Sequence, residues 1–434
     1  MEKLCVIGAG ESGMGAALLA KEKGFDVFVT DFGSIKEEEK IILRKENIPF
    51  EEKGHSIEKL IEFNIFVKSP GVPEKATIIR KMRAENKRII SEIEFGYNYY
   101  NGIILAVTGS NGKTTTAGLL FHLLKSSNLN VGLGGNIGTS FCKRIMEQEY
   151  DYMVLELSSF QLDDIENFKP NISIIINITP DHLDRYNYNY EEYVNAKFQI
   201  VKNQTNDDLC ILNADDETIA LKLVDLKSEV RISKITKENY KDGILSKDGN
   251  SKYDLTLKGS HNLLNATLAM KAARALGLDE SLLQKALMTF KNVEHRLESV
   301  AKINGVEFIN DSKATNVDAS FYGLGSVSNP LIWIAGGTDK GNDYTELISV
   351  VTGQVKMLIC LGLDNEKLKK AFENHIPKII ETKDVIQAVH WAFEEAIEGD
   401  AVLLSPACAS FDLFKNYEDR GNKFKNAVYQ LLEK

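Results

Sequence analysis

Ile103-Ile104-Leu105-Ala106-Val107-Thr108 runs directly into Gly109-Ser110-Asn111-Gly112-Lys113-Thr114-Thr115, and the helix-patterned stretch from Ala117 to Lys125 follows. An apolar strand, a glycine turn and a helix in that order gather backbone N–H groups and a helix N-terminus around one small volume, which attracts phosphate. Lys113 adds a mobile positive charge for the outer phosphates, and the Thr114 hydroxyl can reach a Mg²⁺ bound to them. The segment therefore reads as a nucleoside-triphosphate site built on Gly109, Ser110, Asn111, Gly112, Lys113, Thr114 and Thr115. Only Ser110 and Asn111 separate its glycines, where the usual phosphate loop has about four residues before the Gly-Lys pair. The shorter turn points away from GTPases and motor ATPases.

The same alternation extends in both directions. Apolar runs ending in Gly, Asp or Ser alternate with helix-period stretches, the sequence form of parallel sheets with crossover helices. A first block holds Lys3 to Ile7, Phe25 to Thr30, and Ile65 to Lys68 followed by Ser69-Pro70-Gly71. A second block starts near Glu92 and continues through Tyr152 to Leu155, Ile172 to Ile178 and Leu209 to Leu212. In a third, Glu307 to Ile309, Leu331 to Ile334, Met357 to Leu361 and Val402 to Leu404 supply further strands. The expected fold is α/β with three domains, 1–92, 93–293 and 294–434, each a mainly parallel sheet with flanking helices.

Bulk properties agree with that division. A chain of 434 residues is too long for one hydrophobic core, and 43% hydrophobic with 26% charged residues is the balance of a soluble globular protein. No apolar run approaches a membrane span, and Met1-Glu2-Lys3-Leu4-Cys5-Val6 enters a strand without a basic and apolar leader, so neither membrane insertion nor secretion is expected. Cys5, Cys142, Cys210, Cys360 and Cys408 lack metal-ligand spacing and lie mostly in apolar runs, which suits reduced core thiols in a cytosolic protein. A formal net charge of −10 argues against a general nucleic-acid surface and leaves room for local basic pockets that take anions.

Two further motifs carry chemistry. Gly8-Ala9-Gly10-Glu11-Ser12-Gly13 follows the first strand and leads into a helical stretch, with Asp31 at the end of the second strand. That is a dinucleotide-binding fingerprint with its acidic partner, although the glycines guarantee only that a backbone can approach a pyrophosphate and do not say which nucleotide is bound. Ser69-Pro70-Gly71 reaches the same sheet edge, where a uridine or adenine moiety has room. In the second block, Tyr152-Met153-Val154-Leu155 brings Glu156 to a strand end, where a carboxylate is wanted as a Mg²⁺ ligand beside Thr114. The strand through Ile178 then ends in Thr179-Pro180-Asp181-His182-Leu183-Asp184, which sets one histidine among carboxylates.

GSNGKTT, LELSSFQL and TPDHLDR together resemble the motifs of the Mur ligase family, ATP-dependent amide-forming enzymes of bacterial cell-wall precursor synthesis. The likeness spans essentially the whole chain. Asp311-Ser312-Lys313-Ala314-Thr315-Asn316 and Leu404-Ser405-Pro406-Ala407-Cys408-Ala409-Ser410-Phe411-Asp412 are similar to signatures of the branch that adds D-glutamate to UDP-N-acetylmuramoyl-L-alanine. The resemblance implies a Rossmann-like first domain that holds a uridine diphosphate sugar, a central ATPase domain and a Rossmann-like amino-acid-binding domain.

It also implies roles for single residues. Lys197 matches the lysine that CO₂ carbamylates in the family, and a carbamate, unlike an ammonium, is an oxygen ligand suited to Mg²⁺. Thr114 and Glu156 would hold one Mg²⁺, with His182 and carbamylated Lys197 beside a second, so that Lys113, Glu156, His182 and Lys197 form the catalytic set. Asn265 matches an adenine contact and also suits a helix cap, while Arg296 and Asp311 match positions that reach ATP phosphate and ribose. Ser12, Asp31, Ser69 and Gly71 match uridine or diphosphate contacts, and Asn136 the diphosphate and muramoyl end. For D-glutamate the matches are Lys313, Thr315, Lys340, Ser410, Phe411 and Tyr417, a set rich in cations and hydroxyls as two carboxylates require. A cytoplasmic monomer that acts through an acyl phosphate is the resulting expectation. A nicotinamide oxidoreductase would use GAGESG and Asp31 and leave GSNGKTT idle; a regulatory ATPase would turn over ATP with no amino acid; a folylpolyglutamate synthase would share the ATP loop and need no UDP-sugar.

Overall fold

The computed structural model describes residues 2–240, 243–245, 252, 253, 255, 257, 259–291, 294–339 and 341–432. Its α/β architecture is the expected one, with three large sheets flanked by helices. The first contains β1 (Lys3–Ile7), β2 (Asp26–Thr30), β3 (Phe50–Glu51), β4 (Ile65–Lys68) and β5 (Arg88–Ser91) in the order β3-β2-β1-β4-β5, all parallel. The second contains β6 (Ile103–Thr108), β7 (Val131–Gly135), β8 (Tyr152–Glu156), β9 (Ile172–Ile175), β10 (Leu209–Asn213) and β11 (Arg231–Ile235), in the parallel order β11-β10-β9-β6-β8-β7. A small antiparallel pair, β12 (Ile244–Leu245) and β13 (Lys252–Tyr253), comes next.

The third sheet has β14 (Glu298–Ile303), β15 (Val306–Asn310), β16 (Leu331–Ala335), β17 (Val355–Leu361), β18 (Lys378–Thr382) and β19 (Ala401–Leu404) in the order β14-β15-β19-β16-β17-β18, with only the β14–β15 pair antiparallel. The central strands are covered on both faces, which is why they read as continuous apolar runs; β16, with its Trp333, is buried from end to end. Five helices matter for the site: α1 (Glu11–Glu22), α2 (Lys113–Ser126), α3 (Tyr190–Phe198), α4 (Ser260–Ala275) and α5 (Tyr417–Leu432).

The chain forms two compact units. One comprises Met1–Thr256 and Leu263–Phe290 and holds the first two large sheets; the other comprises Leu257–Asn262 and Lys291–Lys434. Within the first, the two sheets are stitched by charge. The buried Glu94 carboxylate accepts the backbone N–H groups of Glu166, Asn167 and Phe168 at 3.0, 2.9 and 2.8 Å. Lys68 and Arg83 both reach Asp164 at 2.5 Å, and Arg88 pairs with Glu166 at 2.6 Å. Lys68 and Asp164 are almost fully buried, so removing either would strand a charge in a dry place.

In each of the first two sheets the strand order reverses beside the first strand, so β1 lies between β2 and β4, and β6 between β8 and β9. Carboxyl ends at such a reversal leave a crevice for ligands. One expected strand is shorter than its apolar run: β9 stops at Ile175, three residues before Ile178. The chain leaves the sheet there because it serves the phosphate loop, Asn177 O accepting from Ser110 N at 2.9 Å and Asn177 Oδ1 from Asn111 N at 2.8 Å.

Candidate active site

β6 delivers the chain to Gly109, and α2 begins at Lys113. The turn between them needs glycine at both ends. Gly109 and Gly112 have φ of +157° and +83°, and a Cβ on Gly112 would stand 2.5 Å from Asn265 Oδ1. Lys113 curls over the loop, donating to the carbonyls of Gly109 and Ser110, both at 2.8 Å. Thr114 and Thr115 are buried at the first turn of α2. The segment carrying His182 is tied to the same loop, because Ser110 Oγ donates to Thr179 O at 2.9 Å and accepts from Thr179 N at 3.0 Å.

β8 brings Glu156 to this edge, 2% exposed. Its Oε1 accepts from Asn136 Nδ2 at 2.9 Å, whereas its buried Oε2 meets no hydrogen-bond donor among the described residues. A dry carboxylate oxygen without a donor is costly, and a hard divalent cation is the partner its chemistry suits. Among the described residues no three His, Cys, Asp or Glu side chains gather into a cage. Mg²⁺ needs none, since it is typically held by one or two carboxylates plus phosphate oxygens and water. Thr114 and Glu156 fit that pattern.

Lys197 lies on α3, 2% exposed, and its Nζ donates to Gly109 O at 2.7 Å, the carbonyl that Lys113 also uses. Burial first, and then the charge of Lys113, hold this amine well below the ordinary lysine value, against the opposing pull of Asp181, Asp163 and Glu156. His182 has a left-handed backbone at φ +53°, with Nε2 3.6 Å from Asp181 Oδ2 and its ring edge-on to Phe160 at 5.1 Å. Asn265 on α4 is buried against Gly112. The phosphate loop, Glu156, Asn136, Lys197, the His182 segment and Asn265 thus belong to one constellation.

Ser12, Asp31, Ser69 and Gly71 belong to another, all lining a cavity of about 880 Å³ at the carboxyl edge of the first sheet. Ser69 Oγ donates to Gly8 O at 2.9 Å, and a Cβ on Gly13 would collide with that same carbonyl at 1.8 Å. Asp31 braces the turns: Oδ2 accepts from Ala9 N and Oδ1 from Gly33 N, both at 2.7 Å. Pro70, Gly71 and Val72 offer their carbonyls to the Arg185 guanidinium at 3.0 to 3.3 Å, which joins this edge to the His182 segment.

The second unit holds the remaining positions. Asp311 is buried, Oδ2 accepting from Ser405 Oγ at 2.9 Å and Oδ1 from Leu297 N at 3.2 Å; burial lifts its carboxyl to about 6, against the lowering by Arg296. Both of its oxygens are thus engaged by neighbours in the second unit. Lys313 Nζ lies 5.2 Å from the centre of the Tyr417 ring. Ser410 is buried and Phe411 is 71% exposed. Lys340 lies outside the described residues.

One residue of this region was missed in the sequence. Arg420, 1% exposed, donates to Ser312 O at 2.8 Å, Ser312 Oγ at 3.0 Å and Cys408 O at 3.1 Å, and so ties together the loops that carry Lys313 and Ser410. Ser312 Oγ in turn donates to Tyr417 O at 2.8 Å. A signal existed: Arg420 shares the buried stripe of α5 with Phe424, Ala427, Val428 and Leu431, and an arginine at an apolar-period position has work to do there.

Comparison with known proteins matches three family domains along the chain. Residues 3–78 match the MurD N-terminal domain, residues 107–273 the Mur ligase middle domain and residues 295–408 the Mur ligase glutamate ligase domain. A UDP-N-acetylmuramoylalanine–D-glutamate ligase of Christiangramia forsetii is 46% identical over 99% of this chain and 100% of its own length, and that of Bacteroides thetaiotaomicron is 45% identical with the same coverage. Among solved structures, the UDP-N-acetylmuramate-alanine ligase MurC of Thermotoga maritima aligns over the whole of both chains with a TM-score of 0.63 at 19% identity. A Mycobacterium tuberculosis folylpolyglutamate synthase aligns over 78% of this chain and 92% of its own with a TM-score of 0.58 at 14% identity. These two show the shared fold.

Proposed function

The chain belongs to the Mur ligase family, and on that footing we propose that it is an ATP-dependent ligase that adds D-glutamate to UDP-N-acetylmuramoyl-L-alanine through an acyl phosphate. The observation that carries this reading is the gathering at one sheet edge of the phosphate loop, a Glu156 oxygen with no donor among the described residues, and a buried lysine whose amine is held well below the ordinary lysine value. An acceptor entering from the cavity at Ser12, Asp31, Ser69 and Gly71, with Asn136 at its diphosphate and muramoyl end, accounts for the first sheet.

The alanyl carboxylate attacks the γ-phosphorus of ATP; an O–P bond forms, the bond to the bridging oxygen breaks and ADP departs. Lys113 leaves the carbonyls of Gly109 and Ser110 to follow the charge onto the phosphoryl oxygens, together with the backbone amides from Gly109 to Thr115. Thr114 and Glu156 would hold one Mg²⁺, and His182 and carbamylated Lys197 a second, where the ions would neutralise phosphate charge. Burial favours the uncharged Lys197 amine, the form that adds to CO₂: an N–C bond forms, one C=O π bond of CO₂ opens onto its oxygen, and one proton is lost. Asn265 takes adenine, and Arg296 and Asp311 the phosphate and ribose side.

The amine of D-glutamate then attacks the acyl carbon; a C–N bond forms, the C–O bond to phosphate breaks, and the ammonium proton passes to a base or to water. Lys313 and Lys340 meet the two carboxylates, with Thr315, Ser410, Phe411 and Tyr417 around them. The domains of this enzyme are 1–92, 93–293 and 294–434, and it works as a monomer in the cytoplasm. Five free, buried cysteines support a reducing compartment, and no helix among the described residues is long and apolar enough to cross a membrane.

The test is phosphate release from ATP with UDP-N-acetylmuramoyl-L-alanine and a panel of amino acids. D-glutamate alone should stimulate release and appear in the product as an amide. Equal release without an amino acid, or with a pteroyl acceptor in place of the UDP-sugar, would overturn the assignment.

A further inference from the structure

The wall of the cavity at the first sheet carries two chemically distinct sets of residues. Gly8, Gly10 and Ser12 sit at the start of α1, where backbone N–H groups suit a diphosphate; Phe32 and His55 line another part of the wall, beside Asp31. Phe32 is 80% exposed, and its ring centre lies 6.1 Å from that of His55 at an interplanar angle of 38°. A single exposed apolar residue is ordinary. An exposed ring on the wall of a nucleotide-sized cavity is a stacking platform, because every base offers a π-face. Asp31, whose oxygens are both engaged by backbone N–H groups, fixes the turn that presents Phe32.

The hydrogen bonds behind His55 set its tautomer. Glu51 Oε1 accepts from Thr30 Oγ1 at 2.8 Å and from Ser56 N at 3.0 Å. Burial raises the Glu51 carboxyl, but the bonds from Ser56 and Thr30 outweigh it and leave the group below its usual value, ionised and able only to accept. Thr30 has therefore given its one hydrogen to Glu51. The 2.7 Å contact between Thr30 Oγ1 and His55 Nδ1 must then be Nδ1–H donating to oxygen. Burial holds the imidazole below the ordinary histidine value despite Glu51 and Asp31 nearby, so Nε2 carries a lone pair.

We infer that Phe32 and His55 form a uracil-reading pair, with Phe32 stacking on the base and His55 Nε2 accepting the hydrogen bond of its N3–H. The inference rests on the reading of this cavity as the uridine diphosphate site and adds the residues that choose the base. Uracil carries a donor at N3, whereas cytosine has an acceptor there and would meet the His55 lone pair with its own. The Glu51–Thr30–His55 chain is thus a positioning device, and His55 a specificity-determining residue.

The experiment is calorimetric titration of the full-length chain with UDP, CDP and N3-methyl-UDP. The wild type should bind UDP at least about tenfold more tightly than the other two. His55→Phe should bring UDP down to their level, while His55→Gln, whose amide carbonyl still accepts, should keep most of the preference. Phe32→Ala should weaken UDP and N3-methyl-UDP alike, by roughly tenfold, and leave ATP binding unchanged. Equal binding of UDP and N3-methyl-UDP by the wild type, or an undiminished preference in His55→Phe, overturns the base-reading pair and leaves the UDP-sugar site standing. Failure of the wild type to bind UDP at all removes that site and the inference with it.

Discussion

Lys197 sits beneath the phosphate loop in a place that opposes its own charge, with Gly109 O as the acceptor for its amine and Lys113 as a like-charged neighbour. Its folded value lies well below the ordinary one. Between the two, the unfolded chain binds a proton that the folded chain lacks, so stability rises with pH across that window. The unmodified lysine is therefore a cost at neutral pH that a methionine of similar length would not carry. In CO₂-depleted buffer Lys197→Met should melt a few degrees above the wild type near pH 7, the gap narrowing as the pH approaches the ordinary lysine range. The same variant should lose ligation by on the order of 10³-fold, and added acetate should partly restore a Lys197→Ala protein. A methionine variant that melts lower at neutral pH and ligates normally would remove both the lowered amine value and the carbamate.

Where elements meet, the informative groups are buried ones that belong to neither element alone. Glu92 opens the helix after β5 and is fully buried; its Oε1 accepts from Cys142 N, its Oε2 meets no donor among the described residues, and burial lifts its carboxyl to about 7 despite the hydrogen bond from Cys142. A raised folded value means that its contribution is complete below the unfolded value of 4.5 and is lost as the pH rises through about 7. Glu92→Gln keeps the uncharged form, so its melting temperature should match the wild type near pH 5 and exceed it by a few degrees above pH 7; parallel melting curves across that range would refute the burial of an ionising group. Arg420→Lys should raise the KM for D-glutamate by about tenfold while leaving that for ATP unchanged, since lysine cannot span the carbonyls of Ser312 and Cys408. Elements of this kind also mark what sequence can convey. The central strands announce themselves as apolar runs because both faces are covered. β11, β14 and β18 do not, being only partly covered along their length, and β7, Val-Gly-Leu-Gly-Gly, has the composition of a turn. In the site, the phosphate loop and Glu156 were legible because they follow strands in fixed order, whereas Arg420, His55 and Phe32 act through partners about 20 to 110 positions away along the chain.

For the molecule as a whole, the first compact unit contains the phosphate loop, Glu156, Lys197, Asn265 and the cavity of the first sheet, while Arg296, Lys313, Thr315 and Ser410 belong to the second. The family likeness implies that both sets act on one reaction, so ligation needs both units while binding of the acceptor's nucleotide needs only the first. A fragment of residues 1–290 retains every contact named between the first two sheets, including Lys68 and Arg83 with Asp164 and the three amides on Glu94. It should therefore melt cooperatively and bind UDP within about twofold of the full chain. It should bind ATP more weakly, by roughly tenfold, for want of Arg296, and release no phosphate in response to D-glutamate. D-glutamate-dependent turnover by the fragment would move the amino-acid site into the first unit and leave the lysine and hydroxyl set of the second without a substrate.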